Sequence, residues 1–486
     1  MPKNIVVFSD GTGQDGGVRP EQHMSNVYKL YRACRIAPEN SINPHDQVAF
    51  YDPGLGTDIQ STGFTSFVRS VKKMLASVTG RGITTNIADC YEFIINHYTP
   101  GDRIFLIGFS RGAYTARCVA NVLWLCGVPT KSESGELARF RKQVRDIAAE
   151  AVLEVYEFGA GHKRAEFEDD RNEKARRFRQ KYGSGDKLQS NAAPHFIGVF
   201  DTVASLGAKG VRRWVLGAGL TIMVAVPIGI VAALISYVFG PGFWWSFLVL
   251  AAAIGAYSAW IWLSVAVKVI HNSPVDGKTH WHIAQWRSGN YDRLLSGHVG
   301  YGRSANAIDE TRADFDRVGW GSQHGVRAKV GDEPDPLIQL WFAGNHSDVG
   351  GSYAEVESRL SDIALDWMIE QAKSIPNPLL IEEQYLLRHP SADGVQHCEI
   401  AGMHDLIESR TWKFLQRFTG FLNWKEKVRH IEHDAKVHQT VHDRFALPSV
   451  TQCASFGAYR PRALAGHDDF KAYYPQTTDA PDSAKV

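Results

Sequence analysis

The chain has 486 residues, of which 44% are hydrophobic and 22% charged. These are globular proportions, and they exclude disordered and collagen-like classes. Lys and Arg number 53 against 52 Asp and Glu, a net charge of +1, so no global field draws the chain to nucleic acid.

Residues 4–9 read as a short buried strand that ends in the Gly-rich loop Asp10-Gly11-Thr12-Gly13. The apolar run before it is too short for a signal peptide. Asn26 to Ile36 carries Val27, Leu30, Tyr31 and Cys34 on one helical face, with Ser25 as its cap. Gln47 to Tyr51 is a second strand. Helices are expected near 64–77 and 82–97. Arg103 to Gly108 is the clearest strand, and a helix from Gly112 to about Leu125 follows it at once. Strand alternating with helix implies a parallel sheet covered on both faces.

Residues 132–190 are rich in Arg, Lys, Glu and Ala and read as charged surface helices inserted over the sheet. His195 to Phe200 is a further strand ending in Asp201. Leu337 to Phe342 is another, ending in Ala343-Gly344-Asn345-His346-Ser347-Asp348. A helix is expected from about Ser358 to Ala372, and beyond 374 a mostly helical, polar tail. The six cysteines show no Cys-x-x-Cys spacing and are expected to be buried free thiols.

From Trp214 to Val267, 54 residues contain no Asp, Glu, Lys, Arg or His. Trp214–Val238 and Phe243–Val267 would each span about 37 Å as helices, enough for a bilayer core of about 30 Å. Gly240-Pro241-Gly242 between them implies a tight transmembrane hairpin. Lys209, Arg212 and Arg213 precede it, and Lys268 and His271 follow it. By the positive-inside rule both soluble parts face the cytoplasm, anchored to the inner membrane.

Gly108-Phe109-Ser110-Arg111-Gly112 is Gly-x-Ser-x-Gly between a strand and a helix, the place of a nucleophile elbow. Ser110 is the candidate nucleophile and the Arg111 N–H one oxyanion donor. Asp201 and His346, at the ends of later strands, are the candidate acid and base. Asp348, His404, His438 and His442 stay open as alternatives. Asp10-Gly11-Thr12 would offer the second oxyanion N–H from Gly11 or Thr12, or form a turn fixed by Asp10. A haloacid-dehalogenase phosphatase would need an Asp where Phe8 stands. His280/His282 and His438/His442 lack the third ligand of a zinc site. The reaction calls for neither metal nor cofactor.

These residues resemble the α/β-hydrolase family that includes the phospholipase effectors of type VI secretion systems. The resemblance rests on Phe8-Ser9-Asp10-Gly11-Thr12-Gly13, on Phe50 through Thr57, and on Tyr98-Thr99-Pro100-Gly101-Asp102. It continues through Gly108 to Arg117, Gly198 through Val203, Ala307-Ile308-Asp309-Glu310, and Trp341 through Gly351. It departs at Ser304-Ala305-Asn306, where a His-containing segment is expected. The resemblance implies an α/β-hydrolase fold and lipid-ester hydrolysis by Ser110, Asp201 and His346.

The expected organisation is a hydrolase domain in two parts, 1–210 (with the 132–190 insertion) and 271–375. The hairpin would occupy 211–270, and a helical extension 376–486. The expected function is a membrane-anchored hydrolase of phospholipid or other carboxylic esters. The alternatives are a secreted type VI antibacterial phospholipase toxin and a non-catalytic, membrane-tethered interaction module. The partners expected are a lipid substrate and the bilayer.

Overall fold

The computed structural model describes residues 2–11, 23–54, 81–203, 211–240, 242–284, 295, 297–320, 327–399, 425–453 and 455–475. The helix expected near 64–77, Thr12 and His404 lie outside them.

Six strands form one sheet: β1 (Asn4–Ser9), β2 (Gln47–Asp52), β3 (Arg103–Phe109), β4 (Pro194–Phe200), β5 (Tyr301–Ala307) and β6 (Leu337–Phe342). Their order is β6-β5-β4-β3-β1-β2, and every pairing is parallel. β1 and β3 are buried on both faces, which is why they read as apolar runs rather than as alternating patterns. In register, Ser9 pairs with Gly108, Phe109 with Phe200, and Phe200 with Ala305. One edge of the sheet therefore collects Asp10, Ser110, Asp201 and the end of β5. The strand order reverses between β1 and β3, the crevice where open α/β sheets hold their ligands.

Helices α1 (Asn26–Cys34), α2 (Arg81–His97) and α3 (Arg111–Cys126) follow the first three strands. The Ser25 side chain accepts from the Tyr28 N–H and caps α1, as the sequence implies. α4 (Lys142–Glu150) and α5 (Glu168–Tyr182) lie in the 132–190 segment. The helices of that segment are not charged surface alone: Val144, Ile147, Ala148, Val152, Val155, Phe178 and Tyr182 share one core with α2 and α3. Its charged residues are the outer faces of amphipathic helices.

β5 escapes the sequence pattern, because Tyr-Gly-Arg-Ser-Ala-Asn-Ala carries no apolar run. It is buried throughout, and partners take up most of its polar side-chain groups. Arg303 donates to Gln371 Oε1 at 2.7 Å and to the Asp335 carbonyl at 2.9 Å. Asn306 donates to the Leu340 carbonyl at 3.1 Å.

α6 (Val211–Phe239) and α7 (Phe243–Ala266) pack along each other, and Gly240 turns the chain between them at φ 80°. α7 is long and apolar enough to cross a membrane and is not buried in the protein; the apolar stretch of α6, Val224–Phe239, is shorter. Trp244 and Trp245 are 72% and 69% exposed. The chain leaves α7 at Val267, directly into a two-stranded hairpin, Val267–Ile270 with His280–Ile283. Lys268 is therefore not a free basic flank: it is buried, 3.8 Å from Glu154.

On the second face, α1 packs with a helix pair that follows β6: α8 (His346–Gly350) and α9 (Arg359–Ser374). Among its described residues, the extension beyond 374 is not mostly helical. Its described residues hold α10 (Gln439–Ala446), short 3-10 turns, and a hairpin of Val450–Gln452 with Ser455–Gly457. Val441, Phe445, Tyr459, Leu464 and Phe470 close over Trp341 and Ile308 as a small core. Cys398 and Cys453 form a disulfide with Cα atoms 5.1 Å apart, whereas Cys34, Cys90, Cys118 and Cys126 are buried free thiols. Two cysteines 55 residues apart meet only because the extension folds back.

Candidate active site

Ser110 stands between β3 and α3 with φ 59° and ψ −122°, a backbone conformation rare outside glycine. Its neighbours hold it there. The Ser110 N–H donates to the Phe200 carbonyl at 3.1 Å, and the Val203 N–H donates back to the Ser110 carbonyl at 3.4 Å. The turn needs both glycines. A Cβ on Gly108 would lie 2.5 Å from the Gly112 carbonyl, and one on Gly112 would stand 2.5 Å from the Asp10 carbonyl and overlap that of Ser9.

Arg111 opens α3, so its N–H has no partner four residues back within the helix. Burial lowers the Arg111 guanidinium to about 10. Gly11 packs against the serine: a Cβ there would lie 3.3 Å from Ser110 Cβ. Its N–H is already engaged, donating to Asp10 Oδ1 at 2.7 Å. Asp10 also accepts from Ser25 Oγ at 2.5 Å and Tyr51 Oη at 2.7 Å. Asp10 thus fixes the turn, one of the two roles its loop could play.

Asp201 follows β4 at φ 38°, fully buried. His346 Nδ1 lies 2.5 Å from Asp201 Oδ2. The Ala307 N–H donates to Oδ1 at 3.0 Å. Arg429 then clamps the carboxylate, Nη1 to Oδ1 at 2.5 Å and Nη2 to Oδ2 at 2.9 Å. Burial alone would raise the Asp201 carboxyl, but the Arg429 charge and the His346 contact overcome it and hold it well below the usual carboxylate range.

His346 is the first residue of α8 and is buried. Its N–H donates to Glu310 Oε2 at 3.2 Å. Its ring lies 4.7 Å from that of Phe109, the residue before Ser110, and 5.1 Å edge-on from that of Phe315. His346 Nε2 is buried without a hydrogen-bond partner among the described residues. An imidazole oriented at Nδ1 and uncommitted at Nε2 can take a proton from a group placed before it.

The alternatives have other employment. Asp348 forms a capping box with Asn345: its Oδ2 accepts from the Asn345 N–H at 3.0 Å, and Asn345 Oδ1 accepts from the Asp348 N–H at 2.9 Å. Asp348 Oδ1 lies 2.7 Å from His397 Nδ1. His438 caps α10 and stacks on Phe342, with ring centroids 4.8 Å apart. His442 Nε2 is 3.7 Å from Asp469. His280 lies between Asp170 and Asp276, and His282 meets the Phe158 carbonyl. No cluster of three metal-ligating side chains occurs among the described residues. Sequence reasoning missed Arg429, and nothing local marks it: it stands 228 residues from its partner.

The parallel sheet and its covering helices make an α/β fold, with the strained Ser110 turn at the end of an inner strand. The chain belongs to the T6SS phospholipase effector Tle1-like family. The model of the T6SS phospholipase effector Tle1-like catalytic domain matches residues 3–224 and 260–371. The match leaves out most of the α6–α7 pair and the whole C-terminal extension. Over 213 residues the chain is 27% identical to uncharacterized protein YEL023C of Saccharomyces cerevisiae, covering 42% of this chain and 27% of that protein. Among solved structures it is similar to an uncharacterized protein from Pseudomonas aeruginosa (TM-score 0.34, 14% identity, 80% of this chain and 48% of that one). It is also similar to a Tle1 effector bound to the VgrG spike from the type 6 secretion system (TM-score 0.29, 15% identity, 74% and 53%). The chain thus spans about a quarter of the yeast relative and about half of each solved chain.

Proposed function

We propose that the chain is a serine hydrolase of phospholipid carboxylic esters and acts as a type VI secretion phospholipase effector. The observation that carries the reading is the Asp201–His346 pair, with Nε2 uncommitted, beside the strained Ser110 turn. His346 Nε2 takes the Ser110 proton as Oγ attacks the ester carbonyl. The oxyanion is held by the Arg111 N–H, aided by the positive end of α3. The Gly11 N–H is turned to Asp10 Oδ1 and so is already engaged. His346 returns the proton to the leaving alcohol, then activates water to release the fatty acid. Asp201 keeps Nδ1 protonated and stabilises the imidazolium.

Family membership supports a secreted effector over the resident inner-membrane enzyme expected from the hairpin. The burial of Lys268 also weakens the charge argument for that orientation. One observation keeps membrane contact in the proposal: α7 carries no charged residue and exposes Trp244, Trp245, Tyr257 and Trp260. In this reading the α6–α7 pair enters the lipid surface that the enzyme hydrolyses. A fluorophosphonate probe should label the wild type and leave Ser110→Ala unlabelled, and only the wild type should release fatty acid from phosphatidylethanolamine vesicles. Labelling that persists in Ser110→Ala would remove the serine mechanism.

A further inference from the structure

We infer that Arg429 is a positioning residue for the catalytic pair, so that the C-terminal extension, outside the family's matched domain, completes the active site. The inference rests on the serine-hydrolase reading above.

The extension reaches the site as a strap pinned at both ends. At its start, the Ala313 N–H donates to the Lys425 carbonyl at 2.8 Å and the Lys427 N–H to the Thr311 carbonyl at 2.7 Å. At its end, the Trp341 N–H donates to the Lys436 carbonyl at 3.1 Å and the His438 N–H to the Trp341 carbonyl at 2.9 Å. Val437 thereby pairs in parallel with Trp341 on the open edge of β6. Arg429 lies between these pins and is buried.

Its guanidinium is held on four sides. Besides the fork on Asp201, Nη1 donates to the Ala307 carbonyl at 2.9 Å and Nη2 to the Phe315 carbonyl at 3.0 Å. A planar fork on a carboxylate fixes the carboxylate plane, which a point charge cannot do. Here the plane presents Oδ2 to His346 Nδ1. The same cation opposes the charge that Asp201 offers to the imidazolium. The other charged groups around the pair are Glu310 with its partner Arg312, Arg317 held by Asn306 Oδ1 at 3.1 Å, and Asp316. All remain in place when Arg429 alone is changed.

The test uses the full-length chain and p-nitrophenyl butyrate, a soluble ester that bypasses membrane binding. Arg429→Gln should lower kcat on the order of 10²-fold, short of the roughly 10⁴-fold that follows a wrongly oriented triad base. KM should hold. The acid limb of the kcat/KM profile should move up by about one pH unit, because a buried cation beside the imidazolium is gone. Arg429→Lys keeps the charge and loses the fork, so kcat should fall about tenfold with the limb unmoved. A folded Arg429→Gln protein with wild-type kcat and limb overturns the inference. If Arg429→Gln does not fold, Arg429→Lys decides, and wild-type kcat in that variant overturns it. Ser110→Ala separates the two failures. Turnover that survives in Ser110→Ala sinks the hydrolase reading; loss there beside a normal Arg429→Gln sinks this inference alone.

Discussion

The Phe109 ring lies against Gly350 on one side and 4.7 Å from the His346 imidazole on the other. The residue that precedes Ser110 is thereby part of the wall against the His346 ring. α8 can close on β3 only because Gly350 has no side chain: a Cβ there would overlap the ring.

Phe109→Ala should therefore damage stability and rate together. Truncating a buried Phe costs about 3–5 kcal/mol, and the cavity would open beside His346. A lowered denaturation midpoint with kcat down at least tenfold in the folded fraction is expected. A Phe109→Leu variant should recover most of the stability and less of the rate. Full activity in Phe109→Ala would show that the base is held by Asp201 alone.

Histidine substitutions should separate the base from its rivals. His346→Ala should cost on the order of 10³-fold or more in kcat with little change in KM. His438→Ala removes the cap of α10 and should cost about 1 kcal/mol of stability, leaving turnover near wild type. His442→Ala should change neither. Loss of turnover in His438→Ala with His346→Ala intact would reassign the base.

Two buried carboxyl groups at the end of β1 and β2 make stability depend on pH. Burial raises Asp10 to about 6 and Asp52 to about 7, against hydrogen bonds that lower both. A carboxyl whose folded pKa is raised binds protons more readily folded than unfolded. Its contribution is thus present below about pH 4 and is lost as pH rises through about 7, at roughly 1.4 kcal/mol for each pH unit that separates the folded and unfolded values. Urea midpoints between pH 4 and 7 should fall less steeply for Asp52→Asn than for the wild type. Parallel slopes would mean that Asp52 does not titrate in this range.

The Cys398–Cys453 bond closes a loop with a sequence separation of 55. By loop entropy such a bond stabilises the fold by about 4 kcal/mol, and bonds of this kind persist under oxidising conditions. Peptide mapping without reductant should recover the linked pair from protein exported to the periplasm. Cys398→Ser should lower the denaturation midpoint of that exported form. Free thiols at both positions in exported protein would contradict the pairing.

Much of the chemistry was legible in the residues alone. β1, β3 and β4 were readable because strands buried on both faces must be apolar. The Ser110 turn was readable because the tight packing around 108 and 112 admits only glycine, which marks the elbow within five residues. β5 was hidden because its burial depends on Gln371, Asp335 and Leu340, which lie on other elements.

The sequence by itself determined most of the elements and the candidates for nucleophile, acid and base, since these depend on local pattern. Only the tertiary structure decided which of these candidates lie together. It set His346 against Asp201, assigned Asp348 to a capping box and His438 to a helix cap, and brought Cys398 to Cys453. It also carried Arg429 across 228 residues to the carboxylate. Hydrogen-bond partners so distant in the chain are decided by how the extension packs on β6, and burial of that small core leaves no trace in the spacing of the residues it brings together.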